Sequence, residues 1–265
     1  MSFEFFDFST LPSSFQYIFI FCVGLCVGSF LNVVIVRLPR GRSIVSPSSR
    51  CGFCKTALKA WMNIPVFSFM ASGGQCSHCG YAYSFRYTMV ELLTAVLFLS
   101  IYSAYGWSVE CLIFSLFAAA LVVMSFIDLE FRIIPDTISL GGWAVALGLS
   151  LIQIPHYPID FLPSLLGSLT GFVGFWGLSR LYYLVNLEEG LGGGDVKLMG
   201  FIGAVIGIQG VITTILVGSL LGSLVGILFM VFFKKTKRFP IPFGPFLAVG
   251  ALVAVFQLDR IFWGQ

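Results

Sequence analysis

The segment Val196–Phe233 reads VKLMGFIGAVIGIQGVITTILVGSLLGSLVGILFMVFF and carries one charged residue, Lys197, in 38 positions. A bilayer crossing needs roughly 20 apolar residues. The segment is therefore either two spans divided at Gln209-Gly210 or one long bent span, and the two readings put the C-terminus on opposite sides of a membrane. Further apolar stretches lie at 15–36, 88–106, 109–127, 137–154, 161–185 and 241–258, so with the division the chain has about eight candidate transmembrane helices. Composition agrees. Of 265 residues, 58% are hydrophobic and 10% charged, and the mean hydropathy is +0.97. A soluble domain devotes about a quarter of its residues to charge, so a soluble enzyme is excluded and the expected fold class is an all-α polytopic membrane protein. The net charge of +3 is too small to argue for a nucleic-acid partner; the partner implied is the lipid bilayer.

Basic residues orient the spans, because cytoplasmic loops retain Lys and Arg. Arg37, Arg40, Arg42, Arg50, Lys55, Lys59 and Arg86 fall in or beside the first large loop, and Arg132, Arg180, Lys197, Lys234, Lys235, Lys237 and Arg238 in or near later loops of the same side. Fourteen of the fifteen basic residues thus share one face, and Arg260 lies opposite. With eight spans both termini are expected outside, and the division at Gln209-Gly210 is favoured because it places Lys234–Arg238 inside. No basic residue precedes Arg37, so the first span is expected to be retained rather than cleaved as a signal peptide. The organisation expected is an outside segment and first span over 1–36, a cytoplasmic loop over 37–87, and a seven-span region over 88–265.

Glycine recurs at four-residue spacing: Gly24/Gly28, Gly167/Gly171, Gly203/Gly207 and Gly218/Gly222/Gly226. Such spacing lines one helix face with small residues and lets backbones approach, so these positions are read as packing. Cys22, Cys26 and Cys111 lie within spans and read as small apolar side chains.

The 37–87 loop contains Cys51-Gly-Phe-Cys54 and Cys76-Ser-His-Cys79, two CxxC pairs separated by 21 residues. Each pair can supply two thiolates from a tight turn, and together they complete the tetrahedral shell of a structural zinc ion in a zinc-ribbon-like unit. Gly52 and Gly80 suit such turns. Two disulfides or a redox pair are the alternatives, and a reducing cytoplasm argues against the former. About 50 residues make too small a core to stand unaided, which a metal staple would remedy. His78 could replace a ligand, but four thiolates already close the shell.

Acidic residues at membrane edges are costly and are functional candidates by default. Asp128 ends the third span and precedes Leu129-Glu130-Phe131-Arg132-Ile133-Ile134-Pro135-Asp136; Asp195 opens the sixth in Gly192-Gly193-Gly194-Asp195-Val196-Lys197. Charge counting puts both at the inner interface. Two carboxylates at one depth can share a proton, the ionised one accepting from an attacking water and the protonated one donating to the carbonyl oxygen or leaving amine. The titrations belong to the pair, so acid and base are not assigned individually. The Gly192–Gly194 run would permit unusual backbone conformations and close approach of an extended substrate. Against this, Asp195 could be a helix N-cap, Asp128 and Asp136 solvated juxtamembrane charges, and Asp136 a cap after Pro135. Lys197 should not face Asp195 directly on a helix, though it could favour the ionised form of a nearby carboxylate. Glu91 lies a turn inside the second span and could reach back to pair with Arg86.

Several motifs occur together: Gly24-Leu-Cys-Val-Gly28-Ser29-Phe30-Leu31-Asn32-Val33 ending in Arg37-Leu38-Pro39, the paired CxxC units, Asn63-Ile64-Pro65, Arg86-Tyr87 with Glu91, the Asp128 segment through Pro135-Asp136, and Gly192 to Lys197. In this order, from the first span through the sixth, the chain resembles the prepilin peptidases, also called type IV leader peptidases. The region after about residue 210 adds little beyond hydrophobicity.

That resemblance implies an intramembrane-type aspartic protease of the GxGD class, with catalytic aspartates at Asp128 and Asp195 and an active-site loop of Gly192, Gly193, Gly194 and Lys197. It implies a bacterial inner-membrane enzyme whose active site faces the cytoplasm. There it would cleave the leader of type IV prepilins or pseudopilins after a glycine, in the service of pili, type II secretion or DNA uptake. Relatives with the four-cysteine loop are the ones usually credited with methylating the new N-terminal amine, usually of phenylalanine, from S-adenosylmethionine. No GxGxxG loop in a Rossmann context is present, so the expected methyl-donor site is the cytoplasmic loop with Arg86 and Glu91, and the expected structural metal is zinc on Cys51, Cys54, Cys76 and Cys79. The rival readings are a proton- or ion-coupled transporter using Asp128, Glu91, Asp195 and Arg180, a zinc-stapled assembly factor without catalysis, and a peptidase that has lost methyl transfer. The two aspartates at one face sit badly with a transporter, whose sites lie near the midplane.

Overall fold

The computed structural model describes residues 10–51, 53–57, 64–152, 158–187, 192–233 and 242–263. Gly52, Lys59, Asn63 and the basic cluster Lys234–Arg238 of the sequence reading lie outside the described residues. Within them the chain is helical, with the only extended pairing in two isolated bridges, Arg50 with Ala57 and Gln75 with Ala82. The helices are α1 (Ser13–Arg37, continued by a 3-10 turn, Leu38–Arg40), α2 (Phe67–Ala71), α3 (Arg86–Tyr105), α4 (Val109–Phe131), α5 (Asp136–Ile152), α6 (Phe161–Asn186), α7 (Gly193–Phe233) and α8 (Gly244–Trp263). Five of them, α1, α3, α4, α6 and α7, are long and apolar enough to cross a membrane; α5 and Gly244–Gln257 of α8 are apolar but shorter.

The opening segment forms one 41-residue element, α7. Straight, it would run about 60 Å, twice the hydrocarbon thickness of a bilayer. It is divided at Gly207, whose φ of 66° and ψ of −172° break the helix, while Ile208, Gln209 and Gly210 are helical. The break therefore falls at Gly207 and not at Gln209-Gly210. The position is set by packing: a Cβ on Gly167 of α6 would fall 2.6 Å from the Gly207 Cα, and only glycine adopts the backbone geometry of Gly207 at no steric cost.

The chain divides into two compact units, Met1–Val123 and Met124–Gln265. In the first, α1 packs on α3 through Gly24, where a Cβ would stand 2.6 Å from the Ala95 Cα, and Gly28, where it would stand 2.7 Å from the Glu91 Cα. The four-cysteine segment belongs to this unit. In the second unit α7 packs on α5, α6 and α8. A Cβ on Gly203 would meet the Gly167 carbonyl oxygen at 2.1 Å, and one on Gly171 would meet that of Met199 at 2.3 Å. The approach lets Ser164 Oγ of α6 donate to the Ala204 carbonyl at 2.6 Å. Gly250 of α8 fits against Thr214 of α7 in the same way, with 2.6 Å to its carbonyl oxygen. Helices in lipid gain nothing from hiding oil from oil, so contact of this closeness, by dispersion and interhelical hydrogen bonds, holds them together. Cys111 is buried, whereas Cys22 and Cys26 lie on the exposed side of α1.

Candidate functional site

Asp128 sits in the last turn of α4 and is 6% exposed. Asp195 lies in the first turn of α7, inside the helix and not at its cap, with its amide donating to the Gly192 carbonyl at 3.0 Å. Both carboxylates line one cavity of about 800 Å³ together with Arg132, Asp136, Gly192–Gly194, Lys197, Pro242 and Phe243. They are close enough for the charge of Asp128 to act on Asp195. Two acids that feel each other in a partly desolvated space hold one proton between them more cheaply than none.

Oδ2 of Asp128 accepts a hydrogen bond from the main-chain amide of Gly244, 3.0 Å away at the start of α8. A Cβ on Gly244 would lie 2.7 Å from that oxygen. The contact also sets the carboxylate against the positive end of a helix dipole. Sequence reasoning missed Gly244. The signal available was the breaker cluster Pro242-Phe243-Gly244-Pro245 between two apolar stretches, with proline early in the helix it starts.

The three glycines before Asp195 do less by backbone freedom than expected: none of them has a positive φ. At Gly194 the clearance is tight, since a Cβ there would stand 3.0 Å from the Ile134 Cβ. The exposed Gly193 has open space around it. Lys197 Nζ reaches Asp136 Oδ1 at 2.7 Å, tying the first turn of α7 to the first residue of α5. Asp136 is thus an ion-pair partner at the cavity edge.

In the first unit the four cysteine sulfurs lie within 4.8 Å of one another, and none is in a disulfide. Cys51 and Cys79 are 3.8 Å apart at sulfur, and Cys54 and Cys76 4.0 Å. Zinc–sulfur bonds of 2.3 Å in a tetrahedron put sulfurs about 3.8 Å apart, so the donor set fits zinc. The two knuckles repeat one pattern. The amide of Cys51 donates to the Thr56 carbonyl and that of Lys55 to Cys51; the amide of Cys76 donates to Tyr81 and that of Gly80 to Cys76. The left-handed residue closing each turn is Lys55 (φ 60°) in the first and Gly80 (φ 69°) in the second. The rings of Phe53 and Tyr81 stack across the pair at 5.7 Å. The amides of His78 and Cys79 draw the Cys76 thiol down to about 6, and the Thr56 hydroxyl and amide lower Cys54. The Tyr81 amide pulls Cys79 down, but burial and the three neighbouring thiols outweigh it and push that thiol up to about 11. Four thiols gathered at these distances, two of them drawn down by neighbouring donors, make a cluster that a dication would complete.

Arg86 and Glu91 lie on α3 of the same unit. The Arg86 guanidinium stands over the Tyr87 ring at 5.4 Å. Glu91 is 8% exposed and its Oε2 accepts from the Val66 amide at 2.8 Å, with the Ser29 hydroxyl as a further donor. Asn32 of α1 donates to the Tyr87 carbonyl at 3.0 Å.

Comparison with known proteins places these features in context. The family model described as "Bacterial Peptidase A24 N-terminal domain" matches residues 22–105, and that described as "Type IV leader peptidase family" matches residues 115–227. The chain is 36% identical over 225 residues to a prepilin leader peptidase/N-methyltransferase of Myxococcus xanthus, covering 84% of this chain and 66% of that protein. It is 33% identical to one of Pseudomonas aeruginosa, with 92% of each chain covered, and 32% identical to one of Neisseria gonorrhoeae, with 91% and 90% covered. No solved structure matches significantly.

Proposed function

The chain belongs to the type IV leader peptidase family, and on that premise we propose that it is an inner-membrane aspartic endopeptidase that removes the leader of type IV prepilins or pseudopilins. Cleavage follows a glycine at the cytoplasmic face, and methylation of the new N-terminal amine from S-adenosylmethionine follows it. The observation that carries the reading is that Asp128 and Asp195, on different helices and 67 residues apart, line one cavity.

Chemistry follows from that pair. With one proton shared, the ionised carboxylate takes a proton from water as it attacks the scissile carbonyl. The protonated carboxylate donates to the carbonyl oxygen; the proton taken from water then passes from the first carboxylate to the departing amine, and the collapsing diol returns a proton to the second. The Gly244 amide keeps Asp128 in place through this exchange without itself gaining or losing a proton. The open space at Gly193 leaves room for an extended backbone beside Asp195. A helical peptide bond is shielded by its own hydrogen bonds, so the substrate must unwind locally, which a glycine before the scissile bond favours.

Cys51, Cys54, Cys76 and Cys79 would hold a structural zinc ion, which supplies a staple and no chemistry. Arg86 and Glu91 are assigned to the methyl-donor site; the donor, when bound, would supply an activated methyl on a sulfonium. The orientation follows the basic residues, with both termini outside.

The test is incubation of the purified full-length protein with a prepilin and S-adenosylmethionine, followed by mass measurement of the pilin N-terminus. Loss of the leader with a gain of one methyl is expected. An intact prepilin would overturn the peptidase reading, and a cleaved but unmethylated pilin the methyltransferase half.

A further inference from the structure

One group of buried polar atoms takes no part in the aspartate chemistry. Gly24 faces Ala95, Gly28 faces Glu91 and Asn32 bonds Tyr87, so α1 and α3 run past each other turn for turn. At one end of that seam the glycines give way to Ser29, Asn32, Thr88 and Glu91. Asn32 is 4%, Thr88 6% and Glu91 8% exposed. Asn32 spends its amide nitrogen on Tyr87, which leaves Oδ1 buried without a partner, and Thr88 Oγ1 is likewise buried and unpartnered. Glu91 receives two neutral donors, the Val66 amide and the Ser29 hydroxyl, and among the described residues it has no cationic partner. Val66 delivers its amide from φ 60° and ψ −50°, a strained conformation for a β-branched residue.

Each of these features costs stability. An unpaired buried polar atom keeps its full desolvation penalty, and a buried carboxylate without a counter-charge is worse still. A single ligand group resolves all three. It must carry positive charge for Glu91 and several N–H donors for Asn32 Oδ1 and Thr88 Oγ1. A primary ammonium has both, with three donors and no acceptor. A sulfonium has the charge without the donors, and a hard dication would call for more carboxylate oxygens than Glu91 provides.

We propose that Glu91, Asn32 and Thr88 form a binding site for a primary ammonium at the end of the α1/α3 seam. The site rests on the methyl-transfer half of the function above, which supplies two sources of that chemistry: the new N-terminal amine of a cleaved pilin and the amino-acid end of the methyl donor. None of the three residues lines the aspartate cavity.

The experiment measures binding to the full-length protein of two probe pairs, each differing by an ammonium. One pair is a synthetic peptide of a mature pilin N-terminus with its amine free or acetylated. The other is S-adenosylhomocysteine with its α-amine free or acetylated. The wild type is expected to prefer the ammonium-bearing member of at least one pair by about tenfold, the worth of a charge-assisted buried hydrogen bond. Glu91→Gln is expected to abolish that preference, with thermal unfolding of the variant as the separate folding control. Preference in the peptide pair identifies the pilin amine, and preference in the nucleoside pair the donor. A wild type without preference in either pair overturns the site whatever the variant does, as does a Glu91→Gln protein that keeps the preference. Failure of the family function would instead appear as an uncleaved or unmethylated prepilin in the incubation above.

Discussion

The main-chain amide of Gly244 and the side chain of Asp128, 116 residues apart, meet at 3.0 Å, and a methyl group on Gly244 would overlap the carboxylate oxygen it binds. Gly244→Ala should therefore displace Asp128 without removing any reacting group. Misplacement of a catalytic group by about 1 Å can cost about 100-fold in rate. We expect kcat for leader cleavage to fall by about that factor with KM little changed, read from steady-state cleavage of a prepilin peptide. A variant with wild-type kcat would remove Gly244 from the machinery.

Asp128→Asn and Asp195→Asn should each abolish leader cleavage, by about 10³-fold or more, because residues that act as a unit fail together. The double variant should be no worse than either single one. Cleavage by gel shift, with thermal unfolding as the folding control, checks this; full cleavage by either single variant would sink the dyad.

The ion pair of Lys197 with Asp136 is 2.7 Å long, but its side chains are 35% and 59% exposed. Exposed pairs contribute about 0–1 kcal/mol. Lys197→Met should therefore leave unfolding within about 1 kcal/mol of the wild type, and a larger loss would mean that the pair is more desolvated than its exposure indicates.

The purified protein should carry about one zinc ion per chain, measurable by elemental analysis. Cys76→Ser should lower that content and make residues 37–87 sensitive to limited proteolysis, since so small a loop has little core of its own. A metal-free protein with two disulfides by mass spectrometry would overturn the zinc assignment.

At the α6/α7 contact a Cβ on Gly203 has 2.1 Å to the Gly167 carbonyl oxygen, a backbone atom that cannot swing aside. Gly203→Ala should destabilise the protein by about 1–3 kcal/mol, the usual cost of overpacking. Thermal unfolding in detergent measures it; an unchanged midpoint would show that α6 and α7 can separate freely.

Much of this molecule was legible in the chain because its causes are local. Helix formation by long apolar stretches depends on hydropathy and length, and the cysteine knuckles on spacing within a single turn. The four-residue glycine spacing announced close helix contact at Gly24/Gly28, Gly167/Gly171 and Gly203, where the backbones do touch. The break in α7 was less legible. Gln209-Gly210 looked like the turn, but Gly207 takes the left-handed geometry because Gly167 of α6 presses on it, and no window along α7 contains that neighbour. Gly244 went unread for the same reason.

The sequence by itself determined that this is a helical membrane protein with a four-thiol cluster and two acids beside breaker residues, since composition, periodicity and short spacings act over a turn or less. Only the tertiary structure decided that Asp128 and Asp195 line one cavity, that Gly244 holds one of them, and that Lys197 answers Asp136 and not Asp195. It also left Glu91 buried with unpaired neighbours. Those relationships join residues on different helices, and they come into being only when close-packed glycines fix how one helix lies against the next.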